Sequence, residues 1–320
     1  MLSRVANSLY WMSRYLERAD NVARFVRVNA HLMLDLGLDS NQARWLSLIY
    51  ASGDHEEFRK KHKISSESTV LRFLTFDAKN QNSILSCVAS ARENARTVRE
   101  HLPSEIWEAI NELFHFTLKH RRRRFIEDLQ EFYEHFQGMG HMITGYAEDM
   151  LAHHEAWHFI RLGRMLERAD KTARLLDIKY FFLTTTLSKM PEAYDTLEWA
   201  AVLKSVNAND MYRKKYHIFN YRNIANFLIF DPFVPRSINY CVNAASDSLD
   251  AIIGDSSNSI VARQEMDILK NSLETSDVDQ VLLIGVHDYI DVFQYNLNIV
   301  DEAIYKSFFL LDQHSVLSSV

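Results

Sequence analysis

The chain has 320 residues, with 36 Lys and Arg against 42 Asp and Glu, and its net charge of −6 argues against nucleic acid as the main partner. Only 8 Gly and 4 Pro occur, well below ordinary shares of about 7% and about 5%, which excludes turn-rich and sheet-rich folds and predicts long helices with short connections. Hydrophobic residues at 47% supply ample core, yet no stretch approaches the roughly 18 consecutive apolar residues of a membrane helix.

In chain order, the first predicted helix runs from about Ser3 to Leu36. At 100° steps Trp11, Tyr15, Val22 and Val26 fall on an apolar arc, and Arg14, Glu17, Arg18, Asp20, Asn21 and Arg24 on the other. This Arg-rich amphipathic start has the look of a transit peptide, but it carries Glu17 and Asp20 and has a twin in mid-chain, so it belongs to the fold. Helices follow at Asn41–Ser52, Ser66–Phe76 and Asn82–His101; Pro103 and Ser104 mark the start of another over Glu105–His120. A long helix from Arg121 is expected to be interrupted at Gly138, Met139 and Gly140. The stretch from Ala147 to His154 reads as uninterrupted helix, followed by a helix over about Glu155–Leu187 and a longer loop holding Ser188 to Pro191. Pro232 and Pro235 lie in a loop before a helix from Ser237 to Ile253. No stretch alternates with period two for long, so the expected fold class is all-α.

The first helix is partly repeated. Arg14, Leu16, Glu17, Arg18, Ala19, Asp20, Ala23 and Arg24 recur 150 residues later as Arg164, Leu166, Glu167, Arg168, Ala169, Asp170, Ala173 and Arg174, eight identities in eleven positions. At an offset of 154 Trp45 matches Trp199, Phe58 to Lys61 match Tyr212 to Lys215, Phe73 to Asp77 match Phe227 to Asp231, and Ser83 and Cys87 match Ser237 and Cys241. A weaker echo pairs Phe136 and Gln137 with Phe293 and Gln294. The reading is a single globular unit over 1–320, internally duplicated as halves 1–150 and 151–320 with pseudo-twofold symmetry and a long first helix in each half.

Arg14, Glu17, Arg18, Asn21 and Arg24 sit three or four residues apart and line one helical face. A single such stripe is ordinarily a solvated row of ion pairs. Retained identities in a second copy point elsewhere, because a solvated face tolerates Lys for Arg and Gln for Glu. Arg suits planar, bidentate recognition of carboxylate or phosphate. If the two first helices meet, Arg14, Glu17, Arg18 and Arg24 converge with Arg164, Glu167, Arg168 and Arg174. Two readings stay open: a buried network locking the halves, or an anion-binding or catalytic site. Asp20 and Asp170 belong to the same stripes.

The paired Leu-Glu-Arg-Ala-Asp motifs, Ser90 to Arg96 with Trp107, and Asp231 to Ser237 resemble the alpha-E domain family, bacterial all-helical proteins named for a Glu-Arg motif. The resemblance covers essentially the whole chain, and the eponymous pair corresponds to Glu17-Arg18 and Glu167-Arg168. It implies a setting beside circularly permuted ATP-grasp ligase-like proteins and transglutaminase-like proteins, and so a role in making or modifying peptides through amide bonds. The leading expectation is an accessory or modifying component of such a system. In it Arg14, Arg18, Arg164 and Arg168 hold a carboxylate or phosphate, and Glu17 and Glu167 orient them or engage an amine. The alternative is a non-catalytic helical scaffold whose Glu-Arg network is structural.

Other signals are weaker. His154, Glu155 and His158 match the zincin pattern His-Glu-x-x-His, but their counterparts 150 residues earlier are Arg4, Val5 and Ser8 and no third ligand is evident. A zinc hydrolase is therefore a third reading only, and no metal or cofactor is expected. Arg59 and Lys60, repeated as Arg213 and Lys214, suit either a helix end favoured by the macrodipole or a docking patch for acidic peptide or phosphate; Arg236 is a further basic candidate. Arg121 to Arg124 precede Glu127, Asp128, Glu131 and Glu134, which suits ion pairing within a solvated helix. Cys87 and Cys241 read as small buried residues in a reduced, cytoplasmic compartment.

Overall fold

Two long helices form the axis of the molecule. In the computed structural model, which describes residues 1–35, 42–121, 129–186, 192–254 and 260–310, α1 spans Ser3–Asp35 and α8 spans Glu155–Thr186. They cross where Gly163 meets α1: a methyl group at Gly163 would lie 2.5 Å from the Tyr10 carbonyl oxygen and 2.6 Å from Ser13 Oγ. Gly163 and Ser13 are matched positions of the sequence repeat.

The remaining helices clothe this pair. Between α1 and α8 run α2 (Gln42–Ser52), α3 (His55–Lys61), α4 (Glu67–Phe76), α5 (Ile84–Thr97), α6 (Ser104–Arg121) and α7 (Leu129–Met150). After α8 come α9 (Glu192–Ser205), α10 (Asn209–Lys215), α11 (Tyr221–Phe230), α12 (Ile238–Ile253), α13 (Ile260–Glu274), α14 (Val278–Ile284) and α15 (Val286–Ile304). Among the described residues there is no strand, so the protein is all-α. Helices α5 and α7 lie against α1, α12 and α15 against α8. Helices α2 and α9 also reach the opposite long helix, α2 touching α8 and α9 touching α1. One apolar cluster draws on α1 to α7 with Phe159 and Ile160, the other on α8 to α15 with Tyr10.

The local chemistry of the turns recurs at matched positions. Ser83 and Ser237 cap α5 and α12 by accepting from the backbone N–H groups of Ser86 and Tyr240, and Ser66 and Asn220 cap α4 and α11 in the same way. Each such cap contributes about 1 kcal/mol. Lys61 pairs with Asp77 and Lys215 with Asp231. Gly53 and Asn207, also matched, both have positive φ, +83° and +51°. Asn tolerates this left-handed turn better than most residues with a Cβ. Arg44 of α2 meets Glu198 of α9, again at matched positions but with opposite charge.

Two expectations are corrected. Helix α7 runs unbroken through Gly138, Met139 and Gly140. The glycines cost helix propensity, about 1 kcal/mol each, but Phe132, Phe136, Met139, Ile143 and Ala147 hold the helix by burial at helical spacing. The join is not uninterrupted helix: α7 ends at Met150 and α8 starts at Glu155, with a bend and turn between. No glycine or proline marks this break, which is closed locally by the His154 N–H on the Ala152 carbonyl. Short helices α3 and α10 were not separately expected. Arg122 to Arg124, Glu127, Asp128 and the loop at Ser188 to Pro191 lie outside the described residues.

Candidate functional site

The stripes on α1 and α8 face each other, and their centre is buried. Arg14 is 6% exposed, Glu17 6%, Arg24 1% and Glu167 0%, so the plain solvated face is overturned. The exchange across the crossing is reciprocal. Arg18 donates to Glu167 from Nε (2.6 Å) and Nη2 (2.9 Å), and Arg168 donates to Glu17 from Nε (3.1 Å) and Nη2 (2.9 Å). Each fork is the bidentate geometry at which a guanidinium matches a carboxylate.

Each glutamate collects further cations. Arg236, from the loop before α12, donates to Glu17 Oε1 at 2.8 Å, to Asn21 Oδ1 at 3.1 Å and to Asp20 at 3.2 Å. Arg14 donates to Glu167 Oε2 at 3.0 Å, and Lys171 lies 3.6 Å from Oε1. Burial alone would raise both carboxyls. The guanidiniums of Arg168 and Arg236 at Glu17, and of Arg18 with Lys171 and Arg14 at Glu167, outweigh it and hold both well below the usual carboxylate range. A carboxylate so held has no basicity to lend to a reaction near neutral pH.

The other candidates divide. Arg14 also donates to Tyr10 (3.0 Å) and to Asp301 of α15. Asp170 is served by Arg174, Lys171 and Gln294, and is held low because Lys171 and Arg174 outweigh its burial. Arg24 pairs with Asp20 on its own helix. Burial, reinforced by Arg236 and Arg168, pushes the Arg24 guanidinium well below its ordinary range. Arg164 turns away from the crossing to Glu148 of α7. The central cluster therefore contains Arg14, Arg18, Arg168 and Arg236 around Glu17 and Glu167, with Arg164 outside it.

The second basic element takes the helix-end form. Arg59, Lys60, Arg213 and Lys214 occupy the last turns of α3 and α10, anchored by buried Phe58 and Tyr212. Lys60 pairs with Glu57 at 2.6 Å, and Arg59 donates to the Tyr50 hydroxyl at 2.6 Å. Of the zincin triplet, His154 precedes α8, Glu155 pairs with the N-terminal amine at 2.8 Å, and His158 packs edge-on to Trp157. Among the described residues the group with metal-ligand spacing is Asp177, His287 and Asp291. There His287 Nδ1 lies 2.8 Å from Asp177 and Nε2 3.6 Å from Asp291, so an imidazolium bridging two carboxylates accounts for the arrangement. Sequence reasoning missed Asp301 and Asn82, which reach the network from distant segments with no spacing pattern to announce them, as well as Tyr10, four residues before Arg14 on the same helix, and Glu148, the partner of Arg164.

Cys87 and Cys241 are free and buried, and burial pushes both thiols up to about 12. No described helix is long and apolar enough to cross a membrane.

Known proteins place this arrangement. The chain is similar to an uncharacterized protein of Mycobacterium bovis and to two of Mycobacterium tuberculosis, each 21% identical over 316 residues. These matches cover 89% of the chain but 35% of each relative, so the chain spans about a third of their length. No solved structure matches. The model of the Alpha-E family, described as a predicted alpha-helical domain with a conserved ER motif, matches residues 1–309, and with Glu17-Arg18 and Glu167-Arg168 interlocked at its centre the chain belongs to the Alpha-E family.

Proposed function

We propose that this chain is a helical accessory unit of an ATP-grasp-linked system that forms or modifies peptide or amide bonds, and that its Glu-Arg network clamps the unit together rather than performing chemistry. The observation that carries the clamp is the reciprocal fork: Arg18 on Glu167 and Arg168 on Glu17, with both carboxylates buried and saturated. In this reading the halves are duplicates related by a pseudo-twofold axis near the Ser13–Gly163 crossing. The matched caps, lysine–aspartate pairs and positive-φ turns support it. The partners are an ATP-grasp ligase-like and a transglutaminase-like protein, as the family resemblance implies. Relatives nearly three times as long are in keeping with a unit that works beside further polypeptide. Two free thiols are consistent with a cytoplasmic setting.

The test is the pair Glu17→Gln and Glu167→Gln, made singly and together. Breaking a buried charge pair typically costs about 3–5 kcal/mol, so the clamp predicts a sharply lowered Tm with partner capture retained by whatever folds. A double variant that melts like the wild type but loses pathway activity would transfer the glutamates to the rival reading, an anion-binding or catalytic centre. Affinity capture from the native host that recovers neither an ATP-grasp nor a transglutaminase-like protein would defeat the accessory role while leaving the clamp intact.

A further inference from the structure

The arginines expected to receive an anion are already occupied by Glu17 and Glu167. One place beside them remains unfilled. Between α1, α8 and the end of α9 lies a chamber of about 20 Å³, bordered on its polar side by Arg18, Asn21, Ser52, Asn82, Lys171 and Ser205. None of its lining residues is acidic. Ser205 is 2% exposed, and its hydroxyl has no hydrogen-bond partner.

The hydrogen-bond inventory of this lining is unbalanced. The Asn82 side-chain oxygen already accepts from Arg18, and that of Asn21 from Arg236 and Arg24. Their amide nitrogens donate to Asp54 and Glu17, and the Ser52 hydroxyl donates to the Ile49 carbonyl. Arg18 has five N–H donors, of which its bonds to Glu167 and Asn82 use three. Lys171 has three and is drawn to Asp170 at 3.0 Å and Glu167 at 3.6 Å. What is left over includes the N–H groups on Arg18 and Lys171 and the Ser205 hydroxyl. A water could accept from them and give its protons to the Ser52 and Ser205 oxygens, but an anion makes the stronger, fully ionic bonds to Arg18 and Lys171.

Size narrows the class. A single water needs roughly 10–15 Å³, so a chamber of about 20 Å³ suits a monoatomic ion better than phosphate, sulfate or an organic acid. We propose that the chamber holds one halide ion, chloride in the cell, seated in the seam between the Glu17 and Glu167 clusters. The ion completes the donor side of the network and joins α9, through Ser205, to the crossing of α1 and α8.

The test uses the intact wild-type chain. Crystals equilibrated with sodium bromide and measured at the bromine absorption edge should give an anomalous peak in the chamber. In solution, melts in sodium chloride, sodium bromide and sodium gluconate are compared at equal ionic strength. Above saturation each tenfold rise in halide should multiply the folded-to-unfolded ratio about tenfold, whereas gluconate, too large for the chamber, should do nothing specific. Ser205→Ala and Lys171→Gln should flatten the halide dependence, which is read as a slope and so survives a lowered Tm. Water density without anomalous signal overturns the proposal, as does an equal rise in gluconate. A bromide peak with no halide-specific slope means an adventitious ion only and overturns it as well. Each of these failures leaves the clamp untouched, because the clamp is read from the Glu→Gln melts.

Discussion

Gly163→Ala is the sharpest probe of the crossing between α1 and α8. The new methyl group would lie 2.5 Å from the Tyr10 carbonyl oxygen and 2.6 Å from Ser13 Oγ. The carbonyl is backbone and cannot rotate away, and the serine hydroxyl is tied to that same carbonyl at 2.8 Å. The helices must therefore separate, and overpacking of this kind costs about 1–3 kcal/mol. A backbone obstacle puts the cost at the upper end, while Ala improves helix propensity by about 1 kcal/mol. The expected net loss is about 2 kcal/mol, read as a lower urea midpoint by far-UV circular dichroism with an unchanged slope. Gly138→Ala and Gly145→Ala are matched controls: both glycines sit inside α7, and nothing lies within 4 Å of the added methyl group. Each control should gain about 0.5–1 kcal/mol. If Gly163→Ala proved as stable as the two controls, the close crossing and the clamp built around it would both be wrong.

Other tests address the charges and thiols. Glu17 and Glu167 have folded values depressed below the unfolded value of about 4.3, so their contribution is full above that pH and is lost as pH falls through the folded values. Urea midpoints should show this loss beginning below about pH 4, and the double Glu→Gln variant should show a shallower acid limb; identical limbs would refute the assignment. Asp301→Asn removes a charge from Arg14 but leaves it Glu167. Its cost should be about 1.5–3 kcal/mol, smaller than for Glu167→Gln by the same denaturation assay. Ellman's reagent at pH 8 should find no reactive thiol in the folded protein and 2 after unfolding, since both cysteines are buried with their thiols pushed up to about 12; rapid labelling of either in the native state would contradict their placement.

The sequence repeat led directly to the centre of the molecule, because Glu17, Arg18, Glu167 and Arg168 are identities that a solvated face would not have kept. The helix start at Pro103 and Ser104 followed from start-signal chemistry, whereas the capping roles of Ser83 and Ser237 are visible only in the structure. The rest depended on packing between distant segments. Asp301 reaches Arg14 across 287 residues and Asn82 reaches Arg18 across 64, separations over which no periodicity carries information. Arg236 ranked low because its repeat counterpart is Asn82, so no identity drew attention to it; the two positions nevertheless serve the network, one at Glu17 and one at Arg18. At α7, local glycine penalties were read as a break, and burial of Phe132, Phe136 and Met139 prevailed. At the join the opposite occurred: a segment of good helix formers turns because α7 and α8 pack back against the same bundle.

The meeting of Arg44 with Glu198 bears on how such a chain stays in one piece. Two first segments facing each other in this way would set arginine against arginine at this position. The present pair instead attracts, and Asn82 opposite Arg236 in the repeat departs from likeness in the same direction. The Arg44–Glu198 pair therefore favours contact between the unlike segments Gln42–Ser52 and Glu192–Ser205 over contact of either with a copy of itself.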